Sequence, residues 1–310
     1  MPGFNFHYFE NDVHPSCQGS LTQEQFRRIL DSILQRYTMV SPVQFLSDVC
    51  AGSCDEKEAC LTFDCGLKSQ YDVALPVLKE YGLQAFWLLY TGMLNGGVVR
   101  VEQYHHFRFV CFDQIDQFYQ TFFGNLQALF PDDYAAWVSR FEASGYLLWS
   151  SYYTREDRLY KYLRDRVLPP GQFDLVMLTM MEQKGYDVEQ YRSRLWLNRE
   201  QIRQLSDDGH IIGMHTHTHP NEIGALPYDQ QLWEYQTNQS ILRQITERPV
   251  LCMSHPCNSY NEDTIEVLKR LGVKLGFRGD NQGLCRSALE VPRIDHATWI
   301  QKMKEQNLWP

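Results

Sequence analysis

No apolar run in this chain approaches the roughly 18 residues that a membrane-crossing helix requires. Basic charge is also scarce: the formal net charge is −9 and the sequence pI about 5.6. That excludes an extended nucleic-acid or anionic-membrane face as the main partner surface and leaves a neutral or locally bound substrate. Internal repeats and low-complexity tracts are missing, and Met1–His7 has neither the basic start nor the apolar stretch of a secretion signal, so the expected address is cytoplasmic. The nine cysteines follow no regular spacing, and Cys50, Cys54 and Cys60 lack the paired arrangement of a structural zinc site, so reduced thiols are expected. Beyond a homo-oligomer, no protein partner is implied.

What is present is 310 residues at 44% hydrophobic content, enough for one large domain or two smaller ones. Phe4–Phe9 alternates as a strand. Ser20–Glu24 carries an N-cap signature for a helix that places Phe26, Leu30 and Ile33 on one face. Cys60–Phe63 reads as a buried strand, Tyr71–Tyr81 as a helix ended by Gly82, and Ala85–Tyr90 as the next strand, the strand–helix–strand unit of a parallel sheet. The alternation resumes after Asn198 with a helix, a strand ending in histidines, a helix from Tyr228, the strand Val250–Met253, a helix from Glu262, the strand Leu275–Phe277, and an extended segment Leu289–Asp295. Between these halves, 96–194 repeats aromatic and aliphatic residues at helical spacing, through Phe118, Phe122, Leu126 and Leu129 and again through Leu159, Tyr162 and Leu163. This is an all-helical insertion, far longer than an ordinary βα loop.

The apolar run after Gly209 ends in His215-Thr216-His217-Thr218-His219-Pro220. On an extended strand, residues two apart face the same way at about 6–7 Å, and residues four apart lie about 13 Å from each other. Two arrangements follow: His215 and His217 chelate as a strand pair, as in an amidohydrolase-type barrel, or the chain bends and His215 joins His219. Pro220 and the two threonines favour a bend. Two further strands end in polar chemistry, at Asp64-Cys65 and at His255–Tyr260. A parallel sheet gathers its strand ends on one face, so a carboxylate is expected beside a metal-binding cluster, the equipment for activating water.

Leu61-Thr62-Phe63-Asp64-Cys65-Gly66 resembles the first motif of the polysaccharide deacetylases with a NodB-homology domain, carbohydrate esterase family four, and His215–Pro220 is similar to their second motif. The resemblance implies an α/β fold, a distorted parallel (β/α) barrel, here formed by 1–95 and 195–310; the helical insertion 96–194 falls between the first two motifs, a position from which it is expected to act as a lid. The resemblance also implies a metal-dependent hydrolase that removes an acetyl group, N-acetyl foremost, from a sugar or glycan precursor. Carried over, Asp64 is the general base, His215 and His219 are metal ligands, and the bent-chain geometry is selected. His255-Pro256-Cys257-Asn258-Ser259-Tyr260-Asn261 resembles the third motif, in which the Cys257 amide holds the oxyanion, and Pro292-Arg293-Ile294-Asp295 resembles a segment near the end of many relatives. Three departures stand out. Cys65 replaces the second aspartate, a metal ligand, which favours zinc through Cys65, His215 and His219. Ser254 replaces the family arginine. No clear leucine-x-histidine motif supplies the general acid, for which His296, His255 and His7 are candidates. These departures motivate an alternative, a catalytically inactive sugar-binding relative.

Overall fold

The computed structural model describes residues 1–97, 100–148, 153–282 and 287–309. Two units separate by contact density, Met1–Val99 with Arg192–Pro310, and Arg100–Tyr191.

The first unit is built on eight strands: β1 Gly3–Phe6, β2 Thr38–Met39, β3 Glu58–Asp64, β4 Ala85–Leu89, β5 Ile211–Met214, β6 Cys252–Ser254, β7 Leu275–Phe277 and β8 Arg293–Asp295. The spatial order is β7-β6-β5-β4-β3-β1-β8, every ladder is parallel, and the two-residue β2 pairs with β3 beside this path. β3 and β4 are buried along nearly their whole length, which is why they read in sequence as continuous apolar runs. The sheet curls almost shut: Val291, just ahead of β8, bridges to Phe277 of β7, its amide donating to Gly276 O at 2.8 Å while Arg278 N donates to Val291 O at 2.9 Å. Gly276 permits this closure, since a Cβ there would lie 2.4 Å from Leu289 O. The result is the expected distorted parallel (β/α) barrel with helical insertions.

Seven helices, α1 Gln23–Leu34, α2 Pro42–Ala51, α3 Leu75–Glu80, α10 Arg199–Asp207, α11 Tyr228–Thr246, α12 Glu262–Arg270 and α13 His296–Glu305, belong to this unit. α1 shows why they form where they do. Thr22 and Gln25 close a reciprocal capping box, and Phe26, Ile29, Leu30 and Ile33 bury one face against the strands. α10 and α12 start on the same device, with Asn198 and Asn261 as caps.

The second unit contains α4 Arg100–Val110, α5 Ile115–Leu129, α6 Pro131–Ser144, α7 Arg155–Tyr162 and α8 Pro170–Gln183, and α9 Val188–Leu195 returns the chain to the first. It owns a separate aromatic core that includes Phe107, Phe118, Phe122, Tyr160 and Phe173. Among the described residues, no helix is long and apolar enough to cross a membrane.

Candidate metal centre

β3 ends at Asp64, and the next two residues, Cys65 and Gly66, have φ of +79° and +71°. Left-handed backbone is uncommon in a side chain other than glycine, asparagine or aspartate. β5 ends one residue before His215, whose amide donates to Leu89 O at 3.0 Å and to Asn238 Oδ1 at 3.1 Å. The chain then turns through Thr216 at φ +66° and His219 at φ +59°. A β-branched residue in that region is a genuine outlier, costing on the order of 1–3 kcal/mol. The turn brings two side chains four residues apart into contact, with His219 Nε2 3.2 Å from His215 Nε2. The Cys65 thiol joins them, and one ligand atom from each of the three residues lies within 4.8 Å of the others. All three side chains are buried.

His217 takes a different course. Its Nδ1 bonds Thr91 Oγ1 at 2.9 Å and its ring meets Trp233 edge-on, so the strand-pair chelate is not the arrangement adopted.

The surrounding hydrogen bonds fix the tautomer of His215. Nδ1 lies 3.1 Å from Ser254 O, a pure acceptor, so it carries the proton and Nε2 holds a lone pair. Ser254 Oγ sits 2.7 Å from the same Nδ1 and donates to Asp64 Oδ1 at 3.1 Å, linking the histidine to the carboxylate. Burial pushes His215 down to about 3 and His219 to about 4, so both imidazoles are neutral at physiological pH. His219 Nδ1 is buried without a hydrogen-bond partner. The two facing Nε2 atoms need either one shared proton or one ion. At a metal–nitrogen bond of about 2.05 Å, their separation corresponds to an angle of roughly 100° at the ion, close to tetrahedral. The residues therefore fit a divalent cation.

Asp64 is bound side-on by Arg293: Nη1 donates to Oδ1 and Nη2 to Oδ2, each at 2.7 Å. Arg293 reaches it across β1, donating also to Asn5 Oδ1 at 3.0 Å and through Nε to Arg278 O at 2.6 Å. Gly3 makes room, because a Cβ there would stand 3.1 Å from Arg293 Cγ. Burial alone would raise the Asp64 carboxyl, but the guanidinium outweighs it and holds the group well below the usual carboxylate range. The arginine thus comes from β8, not from the third-motif position that Ser254 occupies, and its partner is Asp64. Gln70 ties the ends of β1 and β3 together, its Nε2 donating to Asp64 O at 2.7 Å and His7 O at 2.8 Å.

Of the histidines considered as acid, His7 faces Asp64, with Nε2 3.7 Å from Oδ2 and Nδ1 3.8 Å from Asp295 Oδ2. His255 is engaged elsewhere, donating Nε2–H to Leu289 O at 2.9 Å and stacking on Tyr260. His296 donates Nε2–H to Gly19 O at 2.9 Å. Cys257 is exposed at the strained turn after Pro256, with φ +50°.

Two residues on α11 hold the histidine turn and had no counterpart in the motif reading. Glu234 Oε2 accepts the amides of His217 at 2.7 Å and Thr218 at 2.8 Å, and Thr218 Oγ1 donates to Oε1. One turn later, Asn238 accepts from His215 N and donates to Leu89 O and Thr91 Oγ1 at 3.0 Å each. The only sequence signal was a polar pair at i, i+4 within a helix that had to bury that face.

At its strand ends the parallel barrel thus collects a Cys/His/His set beside an arginine-bound carboxylate. Residues 160–276 match the family model for polysaccharide deacetylase, and Cys65 stands beside His215 and His219 in the ligand cluster. Among solved structures, the deacetylase PplD from Streptococcus pyogenes superposes with a TM-score of 0.59 at 15% identity, covering 100% of this chain and 98% of that one. IcaB from Ammonifex degensii gives 0.57 at 15%, covering 98% and 95%. A de-N-acetylase from Aggregatibacter actinomycetemcomitans gives 0.55 at 14%, covering 98% of each chain. At these identities the likeness concerns the fold. No curated protein sequence matches the chain.

Proposed function

We propose that the protein is a metal-dependent carbohydrate deacetylase that releases acetate, foremost from an N-acetylated sugar or glycan precursor. The observation that carries this reading is the pairing of Asp64 with Arg293 next to the Cys65, His215 and His219 set. A bound divalent ion, zinc by the softness of the thiolate, would supply Lewis acidity and a water of lowered pKa.

The chain's own groups divide the remaining work. Asp64 is anionic and fixed in direction by two charge-assisted bonds, so it accepts a proton from water without reorganising. Ser254 holds His215 by Nδ1, which keeps Nε2 directed at the ligand cluster. Burial lowers the pKa of His7, the charges of Asp64 and Asp295 on either side favour its protonated form, and it delivers a proton to the leaving amine. The Cys257 amide, at the third-motif turn, serves the oxyanion on the strength of the family resemblance.

The inactive, sugar-binding alternative rests on Ser254, Cys65 and the missing leucine-x-histidine motif. Arg293 removes the first motive by supplying the missing guanidinium from another strand. Acetate release from N-acetylglucosamine oligomers by zinc-loaded protein, compared with Asp64→Asn, tests the proposal. Saccharide binding with no acetate released by the wild type under any metal supports the alternative.

A further inference from the structure

His7, Asp295 and His296 form a second cluster of ligating atoms, all within 4.8 Å of one another, apart from the Cys65, His215 and His219 set. Asp295 Oδ2 is 3.8 Å from His7 Nδ1, and Oδ1 is 3.7 Å from His296 Nδ1. His296 is 5% exposed, and its Nδ1 has no hydrogen-bond partner. Because Nε2 must carry the proton that Gly19 O accepts, Nδ1 is a bare lone pair aimed into the cluster. A histidine whose far nitrogen is tied to a backbone carbonyl is the usual arrangement of a metal ligand. A buried lone pair left empty is otherwise an unexplained cost.

Asp295 is suited to the same task. Oδ1 caps α13 by accepting from Ala297 N at 2.9 Å, while Oδ2 turns toward His7. Donors on one ion at about 2.1 Å stand roughly 3.0–3.5 Å apart, so modest rotations close the set. Asp295 and His7 can make them, being 34% and 29% exposed in their side chains, and the same exposure gives an ion its entry path. Two imidazoles and one carboxylate suit zinc, cobalt(II), nickel or iron(II) rather than calcium or magnesium. The positive end of α13 opposes a cation, so this site fills after the thiolate-containing one.

The geometry points to a second divalent-cation site at His7 Nδ1, Asp295 and His296 Nδ1 whose occupancy inhibits the enzyme by capturing His7. An ion on Nδ1 displaces the proton of the imidazolium and leaves only the Nε2–H of a metal-bound imidazole, a far weaker acid. The inhibitory consequence rests on the role proposed for His7; the binding site does not.

Cobalt(II) titration of the ion-free full chain separates the two. The expected result is two ions per wild-type chain, the first with a thiolate-to-cobalt charge-transfer band and the second without it. Cys65→Ser should lose the band and keep the second ion. His296→Gln retains a donor for Gly19 O but no nitrogen at the Nδ1 position, and should bind a single ion with the band intact; Asp295→Asn, which preserves the helix cap, should do the same. One ion in saturated wild type, or two in both variants, overturns the site. In acetate release, zinc in excess of one equivalent should inhibit wild type, and His296→Gln should need at least tenfold more zinc for half-inhibition. Two bound ions without inhibition would overturn the capture of His7. If wild type releases no acetate at all, the stoichiometry still decides the site, and the deacetylase reading alone has failed.

Discussion

Arg293 and Asp64 are 229 positions apart in the chain and meet in the barrel interior through two parallel hydrogen bonds of 2.7 Å. Both side chains are almost fully enclosed, at 1% and 3% exposure. A pair of this kind is costly to break from one side, since the survivor is left charged and desolvated.

Arg293→Ala should therefore destabilise the ion-free protein by about 3–5 kcal/mol. Combining it with Asp64→Asn should recover part of that loss, because the double variant leaves no uncompensated charge. Urea denaturation of the four proteins in a cycle measures the coupling; strictly additive losses would contradict a direct pair.

Asp64→Asn should lower kcat for acetate release by about 10²–10⁴-fold while the fold and the bound ion persist. Asparagine still accepts one bond from Arg293 but takes up no proton. Full activity in this variant would remove Asp64 from the base role.

His219→Ala should abolish stoichiometric metal binding, and His217→Ala should leave it intact, because Nδ1 of His217 is occupied by Thr91. Cys65→Asp, which exchanges a soft ligand for a hard one, should weaken zinc relative to manganese. Metal content by mass spectrometry and competition titration read both effects. Retention of zinc in His219→Ala would point back to the strand-pair chelate.

Glu234→Ala should reduce metal affinity about 10–100-fold although Glu234 is not one of the ligands. It would release the two amides that fix the left-handed turn between His215 and His219. Calorimetry with zinc gives the affinity.

Stability of the ion-free protein should fall on acidification in two stages. His215 and His219 titrate near 3 and 4 when folded against about 6.5 when unfolded, so the unfolded chain takes up protons first as pH drops below about 6.5. Each contributes a slope of up to about 1.4 kcal/mol per pH unit down to its folded value. Asp64, whose folded pKa is depressed, adds stability that is present above its unfolded pKa of about 3.9 and is lost as pH falls toward the folded value. Denaturant midpoints at pH 7, 6 and 5 check the first stage. Other buried histidines add to the same slope, so the His215→Gln, His219→Gln variant isolates this pair by flattening it.

The barrel was legible because strands buried on both faces give unbroken apolar runs, and because Thr22, Asn198 and Asn261 announce their helices in the local sequence. Pro220 and the two threonines pointed to a bend, and the motif then selected His219 over His217. Spacing on an extended strand argues the other way, and the bend depends on positive φ at Thr216 and His219, which residue type does not foretell. Arg293 was hidden for a different reason. Beside Asp295 it reads as half of a local ion pair, and its true partner is set by the order of strands β8, β1 and β3. Glu234 and Asn238 look like solvent-facing residues of a polar helix until the turn they support is seen.

The closure of the sheet through Val291 and Phe277 also has a bearing on synthesis. The segment that completes the barrel is the one that delivers Arg293 to Asp64. A ribosome-bound chain ending before residue 287 would already hold Asp64, Cys65 and both histidines, yet no guanidinium to balance the carboxylate. Growing chains should thus lack the partner of Asp64 until β8 emerges, so the buried carboxylate is balanced only when the barrel is completed.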